Sequence, residues 1–383
     1  MSRVLQPLLV LLFAATPVFA QQLPRSVVPV HYELTFAPDF ATERFDGDAV
    51  IHVAVAEPVS EVVLNAVELE LLDVRIGDQT ATVTTEPELA RLTVAEPLTP
   101  GPAIIRIHYR GKLNRNLKGL YLGEANGKKY ASTQMEATDA REAFPAFDEP
   151  SFKATFAITA IVDDGHIAIS NGAHLSDTPG PKPGKHTVRF ATTPRMSTYL
   201  VALTVGDFDC VRGEAAGVPL GICGTREKLA LAGYAMETTK AVIPFFNDYY
   251  GIAYPFGKLD QTGVADFRAG AMENAGTILY RDIYLFGDEK QSTQGLLRGR
   301  ASVIAHEIAH MWFGDLVTMR WWNDIWLNEG FATWASSKPL VPLHPEWKLP
   351  LRDVDEMAGA MAADSLRTSR QIRQQASTPA QID

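Results

Sequence analysis

The sequence contains little cysteine and no block of positive charge. Only two of its 383 residues are cysteine, which excludes a disulfide-framed scaffold and a thiolate zinc cluster. Lysine and arginine number 35 against 45 acidic residues, so the net charge is −10. No basic stretch is present to neutralise phosphates, and nucleic acid is therefore not an expected partner.

Internal repeats, low-complexity linkers and a disordered composition are absent as well. Apolar residues make up 46% of the chain and charged residues 21%, which is close to the globular average. A chain of 383 residues is too long for one ordinary domain and fits two, or two with part of a third. The composition thus predicts a multi-domain globular protein.

The first twenty residues have the pattern of a signal peptide. A basic residue precedes an apolar run from Val4 to Ala15, and Ala20 ends a small-residue cleavage site. The run is too short to span a bilayer comfortably, and no stop-transfer pattern follows it. We therefore expect cleavage after Ala20, an exported chain in the periplasm or secreted, and no stable membrane anchor after cleavage.

An oxidising compartment bears on the two cysteines. Cys210 and Cys223 could pair, because Gly217 to Pro219 between them can turn a hairpin. Two buried free thiols are the alternative, and the sequence does not choose between them.

The chain divides into a β-type half and a helical half. From Tyr32 to about Cys210 short β-branched runs alternate with turn formers, which favours a β-sandwich or a large saddle-like sheet. After about Thr225 the hydrophobic period becomes helical, with an amphipathic helix predicted over Glu227–Phe246. The sequence predicts β-strands at Ala49–Val55, Ala103–Tyr109 and Thr155–Val162, and three units: a signal peptide (1–20), a β domain (21–212) and an α+β domain (213–383).

A His-Glu-x-x-His motif lies on a predicted helix. His306 and His310 are one helical turn apart, so both imidazoles can point at one ion. Zinc favours imidazole nitrogen and, in catalytic sites, three protein ligands. Glu307 is rotated by about 100° around the helix axis, which suits it better to proton transfer than to coordination.

A third ligand is predicted on a second helix. Gly314-Asp315 can break the first helix, and Asp324 to Ser337 is predicted to form another, closed by Pro339. Eighteen residues separate His310 from Glu329, enough for a loop and the start of an antiparallel helix that would carry Glu329 to the metal. Asp315, Asp324 and Asn328 are candidates to orient an imidazole, and the sequence does not choose among them.

These motifs resemble the M1, or gluzincin, zinc aminopeptidases. That family carries His-Glu-x-x-His, eighteen residues, and then a Trp-Leu-Asn-Glu-Gly-Phe-Ala motif, which Trp326 to Ala332 match letter for letter. The resemblance extends from Tyr32 through Phe144–Pro150 to the C-terminal half. It implies a thermolysin-like catalytic domain and an exported bacterial member of the family. It also implies one Zn²⁺ per chain, held by His306, His310 and Glu329, with Glu307 as general base.

The resemblance also implies an amine-binding site. In the family a Gly-Ala-Met-Glu-Asn string is the exopeptidase signature, and its glutamate meets the α-ammonium group of the substrate. A second glutamate lies on the N-terminal domain, beside a glutamine that lines the first side-chain pocket. The matching residues here are Gln134, Glu136, Gly270, Ala271, Met272, Glu273 and Asn274.

Three functional hypotheses follow. The leading one is removal of the N-terminal residue from peptides with a free N-terminus. A zinc endopeptidase and a non-catalytic peptide-binding homologue are the alternatives. The family also uses a tyrosine beyond the Trp-Leu-Asn-Glu-Gly segment, whereas the last tyrosine here is Tyr284. We therefore expect these residues to belong to a longer enzyme, and the catalytic domain to be incomplete and impaired without its C-terminal region.

Overall fold

The structure is a computed structural model that describes residues 22–376 and 378–382. Residues 1–20, the predicted signal peptide, lie outside the described residues, so that interpretation stays a prediction. Within the described part of the chain, no helix is both long enough and apolar enough to cross a membrane.

The N-terminal region is built from β-strands, as its β-branched runs predict. Side chains along its first strand alternate between the interior and the surface, the period expected of a half-buried strand. The strands are β1 (Val27–Asp39), β2 (Arg44–Val55), β3 (Val59–Asn65), β4 (Glu70–Ile76), β5 (Gln79–Thr80), β6 (Thr82–Thr85), β7 (Leu89–Leu98), β8 (Gly101–Lys112), β9 (Gly119–Ala125), β10 (Lys128–Gln134), β11 (Thr155–Asp163), β12 (Ile167–Ser170), β13 (His174–Pro179), β14 (Lys185–Phe190) and β15 (Leu203–Gly206).

These strands form three sheets around an aromatic core. An eight-stranded sheet has the order β13-β14-β11-β1-β2-β8-β4-β5, beside a four-stranded sheet β12-β15-β10-β9 and a three-stranded sheet β3-β7-β6. In the large sheet β1 runs parallel to β11 and antiparallel to β2. Tyr32 on β1 stacks on Phe156 of β11 with ring centroids 4.8 Å apart, which fixes the register of this pair.

The C-terminal region combines one sheet with helices. Its five-stranded sheet has the order β16-β17-β18-β20-β19, and the predicted sequence of a β domain followed by an α+β domain is confirmed. The strands are β16 (Asp209–Ala215), β17 (Val218–Gly224), β18 (Leu259–Val264), β19 (Ala271–Met272) and β20 (Thr277–Arg281). The helices are α1 (Gly233–Tyr250), α2 (Asp282–Leu285), α3 (Gln294–His310), α4 (Ile325–Leu343), α5 (Leu349–Asp364) and α6 (Pro379–Ile382). The predicted division at residue 212 lies within β16, and its position stays a prediction.

Two predicted helices differ from the observed ones in three of their boundaries. The segment predicted as one helix over Glu227–Phe246 begins as a 3₁₀ turn and becomes α1 only at Gly233. It ends at Tyr250 because Gly251 takes the left-handed conformation that terminates helices. Helix α4 does not stop at Pro339 but continues to Leu343, because burial of Pro339 offsets the hydrogen bond that proline cannot donate.

The two cysteines form a disulfide. Cys210 on β16 and Cys223 on β17 are direct partners in an antiparallel hairpin, and their sulfur atoms are bonded. The turn consists of Ala216 and Gly217, both with positive φ, which is the geometry of a two-residue hairpin. The structure therefore selects pairing over free thiols.

Candidate metal and substrate site

Helices α3 and α4 bring two imidazoles and one carboxylate together. His306 and His310 Nε2 atoms are 3.0 Å apart, and Glu329 Oε2 lies 3.3 Å from the first and 3.9 Å from the second. All three ligand atoms lie within 4.8 Å of one another. Two imidazole nitrogens and a carboxylate oxygen are a donor set that suits zinc, so the residues fit the implied metal.

Asn328 contacts the buried imidazole from behind. His310 is fully buried, and its Nδ1 lies 3.0 Å from both Asn328 Oδ1 and the Phe313 carbonyl oxygen. In the tautomer with hydrogen on Nδ1, the Nδ1–H group donates to these acceptors. The lone pair is then on Nε2, where it can bind a metal ion. Asp324 instead binds Arg373 at the surface, so of the three candidate orienters the structure places Asn328 on the imidazole.

Glu307 faces the same region but does not join the donor set. Its residue is 6% exposed, and burial, followed by the negative charges of Glu273 and Glu329, raises its pKa well above the usual value. By contrast, although burial opposes it, the hydrogen bond to His306 and the charge of His310 hold the pKa of Glu329 below its usual value. The surroundings thus shift the pKa values of these two carboxyl groups in opposite directions.

Three carboxylates converge beside the imidazoles. Glu136 from the N-terminal region, Glu273 and Glu329 have ligand atoms within 4.8 Å of one another. Burial, followed by the charges of Glu273 and Glu329, raises the pKa of Glu136 well above its usual value. Within the described residues, Glu136 Oε1 has no hydrogen-bond partner. Such a cluster is suited to a bound cation.

The Gly-Ala-Met-Glu-Asn string forms the end of a sheet. Ala271 and Met272 make up β19, which lies at one edge of the five-stranded sheet and pairs only with β20. Gly270 precedes the strand, and Glu273 and Asn274 follow it, both buried. The exposed backbone of an edge strand can pair with a further extended segment.

Contacts across the two regions bring Glu136 to this string. Gln134 ends β10, and its Nε2 lies 3.5 Å from Met272 Sδ. The Asn171 side chain donates to the Ala275 carbonyl at 2.9 Å, and the Asn274 side chain donates to the Leu200 carbonyl at 3.4 Å. Gln134 and Met272 therefore meet at the joint between the two regions, beside the cluster of Glu136, Glu273 and Glu329.

A cavity of about 390 Å³ opens beside the carboxylates. Gln134, Glu136 and Glu329 line it together with residues that the sequence analysis missed: Lys118, Ala137, Asp139, Arg268, Ala269, Ile325 and Ile382. Ala137 directly follows Glu136, and Ala269 directly precedes Gly270, so their positions beside predicted site residues could have indicated them. Lys118 and Ile382 lie far from any predicted site residue in the sequence. Thr333 was also missed; its Oγ1 lies 3.4 Å from His306 Nδ1.

Fold and site define a class: a β-rich domain joined to an α+β domain that carries a His-Glu-x-x-His helix facing a carboxylate cluster. Comparison with protein families agrees with that class. The model of the peptidase M1 N-terminal domain matches residues 28–200, and that of the peptidase family M1 domain matches residues 234–383. The chain belongs to peptidase family M1.

Curated relatives carry aminopeptidase names. The chain is 41% identical to the mitochondrial aminopeptidase 2 of Saccharomyces cerevisiae over 91% of its own length and 38% of the relative. It is 36% identical to aminopeptidase M1-B of Oryza sativa subsp. japonica, over 94% and 42%. It is 35% identical to human endoplasmic reticulum aminopeptidase 1, over 100% and 44%. The chain thus spans about two fifths of the length of these relatives.

The relatives correct one prediction. Two of their names state a location, the mitochondrion in yeast and the endoplasmic reticulum in human. These locations contradict the expected periplasmic or secreted protein, and that prediction is wrong. The bacterial origin that went with it is shown by nothing in the comparisons and stays a prediction.

Proposed function

We propose that the protein is a zinc-dependent aminopeptidase that removes the N-terminal residue from peptides with a free N-terminus. The observation that carries the proposal is a shared side chain. Glu329 belongs both to the group with His306 and His310 and to the group with Glu136 and Glu273. A metal centre and an anionic pocket therefore adjoin, as cleavage next to a terminal ammonium group requires. The names of the relatives support the same activity.

The proposed mechanism divides the work among four carboxylates and two imidazoles. His306, His310 and Glu329 would hold one Zn²⁺ per chain, which when bound supplies Lewis-acid activation of water and of the scissile carbonyl. Glu307, buried and with a raised pKa, accepts the proton of the attacking water and passes it to the leaving amine.

Substrate binding falls to the other carboxylates and to the edge strand. Glu136 and Glu273 bind the α-ammonium group in a setting where solvent screens charge weakly. The β19 edge positions an extended substrate backbone. Gln134 and Met272 line the first side-chain pocket, and this pair favours a broad range of neutral side chains.

Blocking the substrate amine tests the exopeptidase assignment in the intact protein. Peptides with a free N-terminus are expected to be cleaved, whereas the same peptides acetylated at the N-terminus are not, because an amide carries no positive charge. The measurement is the release of the first residue, followed by mass spectrometry. Cleavage of the acetylated peptide at an undiminished rate would favour an endopeptidase and contradict the proposal.

Replacing the third ligand tests the metal centre. Glu329→Ala is expected to weaken zinc binding, with excess zinc restoring part of the activity, because two imidazoles remain to hold the ion. The matched control is Glu346→Ala, an exposed carboxylate near α4 but outside the site. Unchanged zinc content after dialysis against a chelator would show that Glu329 is not a ligand. If the unmutated protein, purified without a chelator, contained no zinc, the non-catalytic alternative would be favoured.

A further inference from the structure

The Asn328 side chain lies between the two halves of the site. It is 4% exposed. Its Nδ2 donates to Glu273 Oε1 at 2.9 Å and, more weakly, to Glu329 Oε1 at 3.3 Å, while its Oδ1 lies 3.0 Å from His310 Nδ1. One amide thus contacts an amine-binding carboxylate and a metal-binding imidazole at the same time.

The chemistry of the neighbours fixes the orientation of this amide. Glu273, as a carboxylate, only accepts hydrogen bonds, so the NH₂ group must face it. The carbonyl oxygen must then face the imidazole, where it accepts the proton on Nδ1. The reverse orientation would oppose two acceptors at the carboxylate and two donors at the imidazole.

The Asn328 amide also keeps Glu273 from bonding directly to the His310 imidazole. His310 Nδ1 lies 3.8 Å from Glu273 Oε1, beyond hydrogen-bond distance but close enough for an ion pair. If Glu273 took the imidazole proton directly, its carboxylate would turn away from the substrate amine. The amide supplies the imidazole with a neutral acceptor and holds the carboxylate by a donor, so each group keeps its own task.

We propose that Asn328 is a positioning residue that couples zinc binding to amine binding. Through its Oδ1 it holds the His310 ring in the tautomer that ligates, and through its Nδ2 it holds Glu273 toward the substrate amine. This inference rests on the proposed function of the site and extends it, because it makes the two halves interdependent. Ligands at one half should then strengthen binding at the other, and by the same factor in both directions.

Two variants of the intact protein separate the two contacts. Asn328→Ala removes the contacts to both halves, including the weaker one to Glu329, and is expected to weaken zinc binding by about 10–100-fold, the usual effect of losing the partner of a metal-bound histidine. Asn328→Asp keeps an acceptor for His310 but places a negative charge against Glu273. Zinc affinity is therefore expected to stay comparable to that of the parent while amine binding falls.

The two readouts are binding measurements and do not depend on turnover. Zinc affinity is measured by competition with a chromophoric chelator, with and without free L-leucine. Leucine affinity is measured by calorimetry, with N-acetyl-leucine as the probe that lacks the ammonium group. Ser337→Ala, on the same helix and away from the site, controls for general loss of stability and should match the parent in both.

The outcomes are distinct. Unchanged zinc and leucine affinity in Asn328→Ala would overturn the proposal, as would equal loss of zinc in Asn328→Asp and Asn328→Ala. Leucine that binds without raising zinc affinity would overturn the coupling. A parent that binds zinc and leucine but cleaves no peptide would refute the proposed function, and the result with Asn328 would still be read from the two affinities.

Discussion

Two buried aspartates, one in each region of the molecule, differ in how the protein surrounds their carboxylates. In the β-rich region Asp148, 1% exposed, accepts from Arg141 Nε at 2.9 Å and from Thr198 Oγ1 at 2.7 Å. In the C-terminal region Asp315 is fully buried, yet among the described residues neither of its carboxylate oxygens has a hydrogen-bond partner. Neighbouring side chains thus satisfy Asp148, whereas Asp315 lacks such partners.

The difference separates structure from function. A buried carboxylate that is paired stabilises a unique arrangement of its neighbours, whereas an unpaired one costs stability unless it is protonated or meets a ligand. Among the described residues, the carboxylate atoms that are buried without a hydrogen-bond partner are Glu136 Oε1 and both oxygens of Asp315, and Glu136 belongs to the carboxylate cluster of the candidate site. Under the proposed function, the cost of leaving Glu136 without a partner falls where an ammonium group is to bind.

The largest expected effect comes from removing the proposed general base. Glu307→Gln should lower turnover of free-amine peptides by about 10²–10⁴-fold while zinc stays bound, because the proton acceptor is lost and the ligands remain. The variant should also be as resistant to urea as the parent, or more so, since a buried carboxylate with a raised pKa has been removed. Steady-state rates, zinc analysis and urea titration measure the three quantities.

Retention of more than about a tenth of the parent rate would contradict the general-base role, given the usual size of such contributions. A lower urea midpoint would contradict the idea that this carboxylate destabilises the fold.

Breaking a paired charge in the β-rich region should act on stability. Arg141→Leu leaves Asp148 buried without its cation, and the free energy of unfolding should fall by about 3–5 kcal/mol. The comparison variant is Arg91→Leu, which breaks exposed pairs with Glu61 and Glu86 and should cost no more than about 1 kcal/mol. Denaturant unfolding measures both; equal losses would show that burial does not decide the strength of these pairs.

The smallest expected effect concerns the carboxyl group of Glu142 in the β-rich region. Burial, followed by the charge of Asp139, raises the pKa of Glu142 to about 7, so the folded state favours the protonated form. Its contribution to stability is full below the unfolded value near 4.5 and is lost as the pH rises through about 7. Glu142→Gln should therefore stabilise the fold by about 1 kcal/mol at pH 8, after allowance for solvent screening, and change little at pH 4.

Glu57→Gln, at an exposed turn between β2 and β3, is the matched control for this experiment. The difference between its urea midpoint and that of the parent should be the same at pH 4 and at pH 8. An equal gain from Glu142→Gln at both pH values would contradict the raised pKa.

Much of the site could be predicted from the sequence because helix geometry is local. The four-residue spacing of His306 and His310 places them on one face of any helix, and the eighteen residues to Glu329 suffice for a helix pair. The helix limits were less predictable. Pro339 has a strong local preference to end a helix, but tertiary packing of α4 outweighs it.

The order of the two regions, the alternation of the strands and the His-Glu-x-x-His motif follow from the sequence alone, since these depend on periodicity and on residues close in the chain. That Glu136 meets Glu273, and that Asn328 joins Glu273 to His310, follows only from the folded arrangement. The first two residues are 137 positions apart, and no local interaction relates them. They meet because the end of β10 contacts β19 through Gln134 and Met272, so the candidate site exists only in the folded chain.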